Sequence, residues 1–374
     1  MQVDYTKHLN QAIDSLFRNV QDSGFWSDSE SRIIFRLDMD NADISNLSWN
    51  PNLKLEYRYG PYALMGALYW RLKDKNPRLD YDKQMIAYSI FLSSKIDSNG
   101  SLVGDSSGLN HSLVLNCLTL SSLIFPEVRE NFLEKLFSLY EFSTKTWPVG
   151  NIQSNQSYVL LYSYCHFYKL LKEVKEDKLS NKVLNEIKTF IRFMSSIQTN
   201  IGAFNSGDPR YIYHQRMFLP LWGYFKGLGL LKEQISAEEW ESLLSSGVKG
   251  IQFACNKRML ANGELYWHEY FWKYKNNSSI FGQSLKFNPN KNLFYEVHQC
   301  LFAVALSEYK KLTNDSRFEV YRERALNWIF ANNKLGEGFI DYTNLGIPFR
   351  VMTSKGSVFF KGNKFKGSYE VGIY

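Results

Sequence analysis

The sequence predicts an all-α protein in which an inner ring of helices is enclosed by an outer ring, with a short β-ribbon at the C-terminus. Two observations carry this. Along the 374 residues, helical segments of two kinds alternate: amphipathic ones with charges on one face, and ones that are apolar or aromatic nearly all round. A helix with a single apolar stripe belongs at a surface, whereas one apolar on every side needs other helices around it. The second observation is a glycine-centred loop before each all-apolar segment, at Gly24, Gly100, Gly150, Gly202 and Gly263, with Gly338 after the last hairpin. Such loops, roughly 50 to 75 residues apart, mark a weak internal repeat of helix pairs.

Taken in order, the inner segments are GPYALMGALYW (60–70), HSLVLNCLTLSSLI (111–124), SYVLLYSYCHFYKLL (157–171), YIYHQRMFLPLWGYF (211–225) and YEVHQCLFAVAL (295–306). The outer segments between them are 82–96, 129–142, 181–197, 237–254 and 317–331, each with an apolar stripe and a charged face. Five to six hairpins therefore fill residues 1–335 as one domain. In the tail, 336–374, the stretch from Val351 onward alternates and carries glycine turns, which reads as a β-ribbon packed on the helices. Its lysines 355, 361, 364 and 366 suit the guarding of a strand edge.

Composition narrows the function classes. With 44% hydrophobic and 16% aromatic residues the chain has ample core material, which excludes disorder and a disulfide-stapled miniprotein. The 44 Lys+Arg against 37 Asp+Glu give a formal charge of +7, which suits an anionic ligand but lacks the dense basic face of a nucleic-acid binder. No stretch approaches the ~18 to 20 apolar residues of a membrane span, and the start has no signal-peptide pattern, so a cytoplasmic protein is expected. Cys117, Cys165, Cys255 and Cys300 are far apart without a CxxC, and read as buried free thiols. With no zinc spacing, phosphate-cradling loop or Ser-His-Asp order, neither metal nor cofactor is expected.

The alternation of inner and outer helices resembles the (α/α) toroid, shared by many carbohydrate-active enzymes and by the terpenoid-cyclase and prenyltransferase group. That resemblance covers residues 1 to about 335. It implies that the N-terminal ends of the inner helices converge on one funnel, where helix dipoles favour anions. Placed there are Glu56, Tyr57, Arg58, Tyr59 and Tyr62; Asn110 and His111; Asn155, Gln156 and Tyr158; Arg210, Tyr211, Tyr213, His214 and Arg216; and Tyr295, Glu296, His298 and Gln299, preceded by Trp267, His268, Glu269 and Tyr270. One such histidine is ordinarily a core residue. Three of them, His111, His214 and His298, in the opening turns of three inner helices point to a functional funnel, whereas His166 and His8 read as structural or solvated.

Asn, His, Tyr and Arg without an evident acidic pair suit removal of the C5 proton of a uronic acid. That reaction needs a neutral or cationic group on the carboxylate, a base, and an acid for the leaving oxygen or the opposite ring face. Tyrosine, with an unperturbed pKa near 10, becomes a base only when cations such as Arg58, Arg210 and Arg216 surround it. The segments 108–127 (GLNHSLVLNCLTLSSLIFPE), 155–168 (NQSYVLLYSYCHFY) and 193–210 (FMSSIQTNIGAFNSGDPR) resemble, in their order, the heparinase II/III-like polysaccharide lyases. The resemblance implies that Asn110 and His111 neutralise a substrate carboxylate and that Tyr158 or Tyr213 is the acid/base; His214, in the opening turn of the fourth inner helix, is expected to join this catalytic group. YWHEYF, with Glu269 and Tyr270, resembles the glucuronyl C5-epimerases in flavour.

The expected activity is thus that of a lyase or uronate epimerase on an acidic oligo- or polysaccharide. Tyr57, Arg58, Arg210, Arg216, Trp267, His268, Glu269, Tyr270, Glu296 and His298 would contact the substrate. Three alternatives remain open. Glycoside hydrolysis would need a carboxyl pair among Glu56, Asp208, Glu269 and Glu296. A terpenoid-cyclase-like enzyme would need an acidic cluster, for which Asp38, Asp40 and Asp43, in an expected loop, are the candidates. A non-catalytic saccharide-binding module would stack sugars on Trp26, Trp147, Trp267 and Trp272.

Overall fold

The computed structural model describes residues 5–22, 24–34, 36–40, 48–51, 55–73, 81–149, 154–200, 202–204, 211–212, 220–257, 259, 270–271, 294–296, 299–330, 351–353, 356–357 and 365–367. Among them are eleven α-helices. The chain divides into two units, Met1–Thr146 with Phe330–Met352 and Gly356–Tyr374, and Trp147–Ile329 with Thr353–Lys355.

In the first unit α1 (Tyr5–Phe17) leads into a short antiparallel pair, β1 (Trp26–Ser27) and β2 (Arg32–Ile33). Strands β3 (Arg36–Asp40) and β4 (Ser48–Pro51) follow, then α2 (Tyr59–Lys73), α3 (Asp82–Ser94), α4 (Gly108–Ile124) and α5 (Glu130–Thr146). Helix α4 is buried from Gly108 to Ser122 without interruption, as an inner helix must be, and it packs on α2, α3 and α5. Helix α3 buries only Met85, Tyr88, Ser89, Leu92 and Ser93, a stripe at i, i+3, i+4, i+7 and i+8.

The 36–43 stretch, expected as a loop, is instead a strand over its first five residues. Asp38 pairs with Asn50 on β4 and with Phe365 on β10 (Phe365–Gly367), the strand after β8 (Val351–Thr353) and β9 (Gly356–Ser357), so β3 is the middle of a three-stranded sheet. Alternating Leu37 and Met39 supply the period of two that the aspartates masked. Asp43 lies outside the described residues. Trp26, expected at an open rim, is only 4% exposed and donates its indole N–H to Asp28 Oδ1 at 2.7 Å. It is therefore a core residue.

In the second unit α6 (Ser154–Glu173), α7 (Asp177–Ser196), α8 (Pro220–Leu231), α9 (Ala237–Lys257), α10 (Gln299–Thr313) and α11 (Glu319–Ile329) alternate inner and outer. Inner α8 packs on inner α6 and α10 and on outer α7 and α9, while α6 pairs with α7 and α10 with α11. Gly223 and Gly227 let α8 approach closely: a Cβ at Gly227 would lie 2.8 Å from Ile191 Cδ1. Cys165, Cys255 and Cys300 here, and Cys117 in the first unit, are free and buried. Burial pushes every one of these thiols up, to about 12 for the first three.

Two of the glycine loops share one geometry, each within its own unit. Ile96 bridges Leu102 and Gln198 bridges Phe204, antiparallel in both cases. Gly100 (φ +83°) and Gly202 (φ +96°) turn the chain between them, donating to Asp97 O at 3.2 Å and Thr199 O at 2.9 Å. Each lies against the backbone of the next outer helix. A Cβ would meet Ser138 O at 2.1 Å at the first and Lys249 O at 2.4 Å at the second. The repeat read from sequence is thus a repeat of structure at these two loops.

Candidate functional site

Three inner helices open where the sequence places them. Helix α2 begins at Tyr59, directly after Glu56, Tyr57 and Arg58; α4 carries Asn110 and His111 in its first turn; and α6 carries Asn155, Gln156 and Tyr158 in its opening turns. The other two start later than expected. Helix α8 runs from Pro220 rather than from 211, with proline suited to a first helical position. Tyr211 and Ile212 form β5 instead, paired antiparallel with β6 (Tyr270–Phe271), Ile212 opposite Tyr270. Similarly Tyr295 and Glu296 lie on β7 (Phe294–Glu296), and α10 starts at Gln299. Arg210, Tyr213, His214, Arg216, Trp267, His268, Glu269 and His298 lie outside the described residues.

The beginnings of α2 and α4, 52 residues apart at Arg58 and Asn110, meet in a cleft of about 390 Å³. Leu55, Glu56, Tyr57, Arg58, Tyr59, Val103, Gly104, Asp105 and Asn110 line it. Across its floor runs a row of polar groups. Arg58 Nε donates to Asn110 Oδ1 at 3.4 Å, and Asn110 Nδ2 donates to Asp105 Oδ2 at 2.7 Å. Asp105 Oδ1 in turn accepts the Ser107 N–H at 2.7 Å, immediately ahead of α4. The Arg58 terminal nitrogens have no carboxylate partner among the described residues, leaving the two Nη groups of a planar guanidinium for a ligand.

The beginning of α2 is already served by a carboxylate of the chain itself. Glu56 Oε2 accepts from the Arg58 and Tyr59 amides at 2.7 Å each, and Oε1 accepts from Gly60 N–H at 2.8 Å. Burial raises the Glu56 pKa above its ordinary value, opposed by those three amides and by the Arg32 charge. The expectation that a free helix dipole draws an anion into the funnel therefore does not hold at α2. The available positive group is Arg58.

His111 lies beneath this floor, fully buried. Its Nδ1 donates to the Ser107 carbonyl at 2.9 Å and its Nε2 accepts the Leu102 amide at 3.0 Å, with Ser101 Oγ 3.4 Å away. These partners fix the neutral tautomer with the proton on Nδ1. Burial lowers its pKa, opposed by the Ser107 bond and by Asp105 and Asp97. A ring committed at both nitrogens fastens the 101–107 loop to α4 and has no lone pair or proton for a substrate. Tyr57 is likewise committed. Its hydroxyl donates to Val103 O at 2.9 Å, and burial followed by the Asp105 charge raises its pKa, the opposite of what a base requires. Among the described residues, the structure thus brings together Arg58, Asn110, Asp105, Tyr57 and His111. Asp105 is the member that the sequence reading missed. Its only sequence signal is an acidic residue five before Asn110, in a loop where aspartates are commonplace.

The chain matches no family model and no curated protein. Solved structures do match over essentially its whole length. A cellobiose 2-epimerase from Bacillus thermoamylovorans has a TM-score of 0.64 at 12% identity, covering 98% of this chain and 97% of that one. The fold is the (α/α) toroid. A D-mannose isomerase (TM-score 0.61, 13% identity, 98% and 95% covered) and a polysaccharide lyase (0.60, 11%, 99% of this chain and 52% of that one) share it. These toroid neighbours are carbohydrate-active enzymes. No helix among the described residues is long and apolar enough to cross a membrane.

Proposed function

We propose that this protein is a saccharide-converting enzyme that removes a proton next to a carbonyl or carboxylate carbon of its substrate. In this reading Arg58, steadied by Asn110, holds the oxygen on which negative charge develops. The observation that carries it is the Arg58 guanidinium, fixed at Nε and open at its terminal nitrogens in a cleft at two inner-helix beginnings. Loss of a proton from the carbon next to a carbonyl leaves an enolate-like oxygen, and a preorganised donor there is the largest single help a protein can give. Changing configuration beside a sugar carbonyl, moving that carbonyl, and eliminating across the C4–C5 bond of a uronic acid all begin this way.

The uronic-acid form of the chemistry, lyase or C5-epimerase, places the substrate carboxylate on Arg58 with bidentate geometry. Tyr158, Tyr213 and His214 are then the candidates for the proton acceptor, and His111 positions the wall of the site rather than touching substrate. A neutral aldose is favoured by a different observation: the cleft is lined by two carboxylates, Glu56 and Asp105, against one guanidinium, Arg58. Carboxylates outnumber the guanidinium there, which opposes an anionic substrate. Hydrolysis is less well served, because both Glu56 oxygens are engaged by amides rather than aimed at a glycosidic oxygen.

Incubation with uronic-acid polymers and with neutral aldoses and disaccharides in deuterated water tests the reading. Deuterium at C5 or unsaturated ends marks the uronate form, and deuterium at C2 of an aldose marks the neutral form. Replacing Arg58 by Lys is expected to lower turnover roughly 100-fold, since an ammonium cannot reproduce the fork. No exchange on any member of the panel, or a variant as active as the parent, overturns it.

A further inference from the structure

The cleft changes character at its mouth. Leu55, 42% exposed, and Val103, 57% exposed, line it together with the charged floor. Of the five large hydrophobic side chains exposed among the described residues, these two share one cleft. Val103 sits on a backbone held from both sides. The Val103 N–H donates to Lys95 O at 2.9 Å and its carbonyl accepts the Tyr57 hydroxyl at 2.9 Å. Leu55 directly precedes Glu56, whose carboxylate is held by three amides. Beside Val103, Gly104 (φ +76°) leaves open space, with nothing within 4 Å of where a Cβ would be.

Two apolar side chains, 48 residues apart in sequence, thus flank a polar floor and stay exposed, with Val103 fixed by its backbone bonds. Apolar surface held in water beside a polar grip is what a ligand with one polar end and an apolar face would cover. A pyranose ring has that form, with C–H bonds on its face and hydroxyls around its edge.

We infer that the mouth is a second sugar subsite, in which the C–H face of one ring lies against Leu55 and Val103 while the neighbouring ring is held at Arg58 and Asn110. The substrate is then an oligosaccharide of at least two units, not a free monosaccharide. This rests on the saccharide reading above and adds substrate length to it.

Ligand-observed saturation-transfer NMR tests it, with D-glucose and D-glucuronate as monosaccharides and cellobiose and a β-1,4-linked diglucuronate as disaccharides. One disaccharide is expected to bind the parent roughly five- to tenfold more tightly than its own monosaccharide, with strong saturation on the C–H protons of the second ring. In the double variant L55S/V103S that ratio is expected to fall to about one. Ile90→Ser, which removes an exposed side chain of α3 that does not line the cleft, should leave the ratio as in the parent. A parent with no preference for the disaccharide, or a preference that survives L55S/V103S, overturns the subsite while leaving the saccharide reading standing. Failure of every saccharide to bind overturns both.

Discussion

The chemistry of this site turns on what each side chain has left over after the fold has used it. Asn110 and Arg58 retain capacity toward the cleft, and both are legible from sequence as polar residues at the start of apolar helices. His111 is equally visible in the sequence but spends both nitrogens on backbone groups of its own loop, which no pattern of residue types reveals. His111→Phe separates the two roles. It preserves a ring for the stack on Phe142, whose centroid lies 5.3 Å away, while leaving the Leu102 amide without its acceptor. The expected cost is about 2 kcal/mol, read by urea unfolding at neutral pH. The pH dependence has a definite sign. Burial depresses the folded pKa below the ordinary 6.5, so below pH 6.5 the unfolded chain takes up the proton more readily. The stabilisation by the neutral ring is therefore complete above pH 6.5 and is lost as pH falls toward the depressed value. The gap between parent and variant should narrow on acidification from pH 7.5 to 5. A gap that stays constant or widens would show that the ring does not carry this load.

At the scale of elements, glycine does the connecting work, and three glycines with similar backbone separate two kinds of cost. Gly100, Gly104 and Gly202 all have positive φ, yet only Gly100 and Gly202 press on the neighbouring outer helix. Alanine at Gly104 meets open space, so its cost is backbone strain alone, about 1 kcal/mol. Alanine at Gly100 adds a clash with the Ser138 carbonyl, and should cost at least about 3 kcal/mol, with α5 losing amide protection in hydrogen exchange. Equal costs at the two positions would refute the close approach. The same loops explain what was readable and what was not. Their recurrence shows in the sequence, and even the step from Gly104-Asp105 to His111 recurs as Gly207-Asp208 to His214 at the same spacing of seven. Where the inner helices begin was less readable: Tyr211–Tyr213 and Met217–Leu219 carry apolar character upstream of Pro220 on either side of His214–Arg216, and Pro220 is the signal that suits a first helical position. Asp38 and Asp40 misled in the opposite direction, because aspartate is depleted from strands yet β3 gains its place from partners on both sides.

For the whole molecule, the alternation of buried and half-buried helices sufficed to anticipate a toroid that solved structures share at only 11 to 13% identity. Burial pattern is what survives when side chains are exchanged, since any apolar residue fills an inner position while only a few polar ones do chemistry. The tail is where long-range structure exceeded what periodicity could show. An alternating segment announces a strand but not its partner, and the partner here lies more than 300 residues earlier: β10 pairs with β3, Lys366 opposite Leu37 and Gly367 opposite Arg36. The first unit thus draws on both ends of the sequence. Removing residues 364–374 would strip β3 of one neighbour, leaving it a two-stranded ribbon with β4, which is marginal by itself in water. Hydrogen exchange of the shortened chain should show faster exchange at β3 and β4, with α6 to α9 of the second unit keeping the protection they have in the parent. The exposed β3 edge should also raise aggregation, measured by light scattering, because an unpaired strand offers its amides to other chains. If β3 keeps its protection without the tail, the pairing contributes nothing to the sheet, and the first unit is complete without the C-terminal residues.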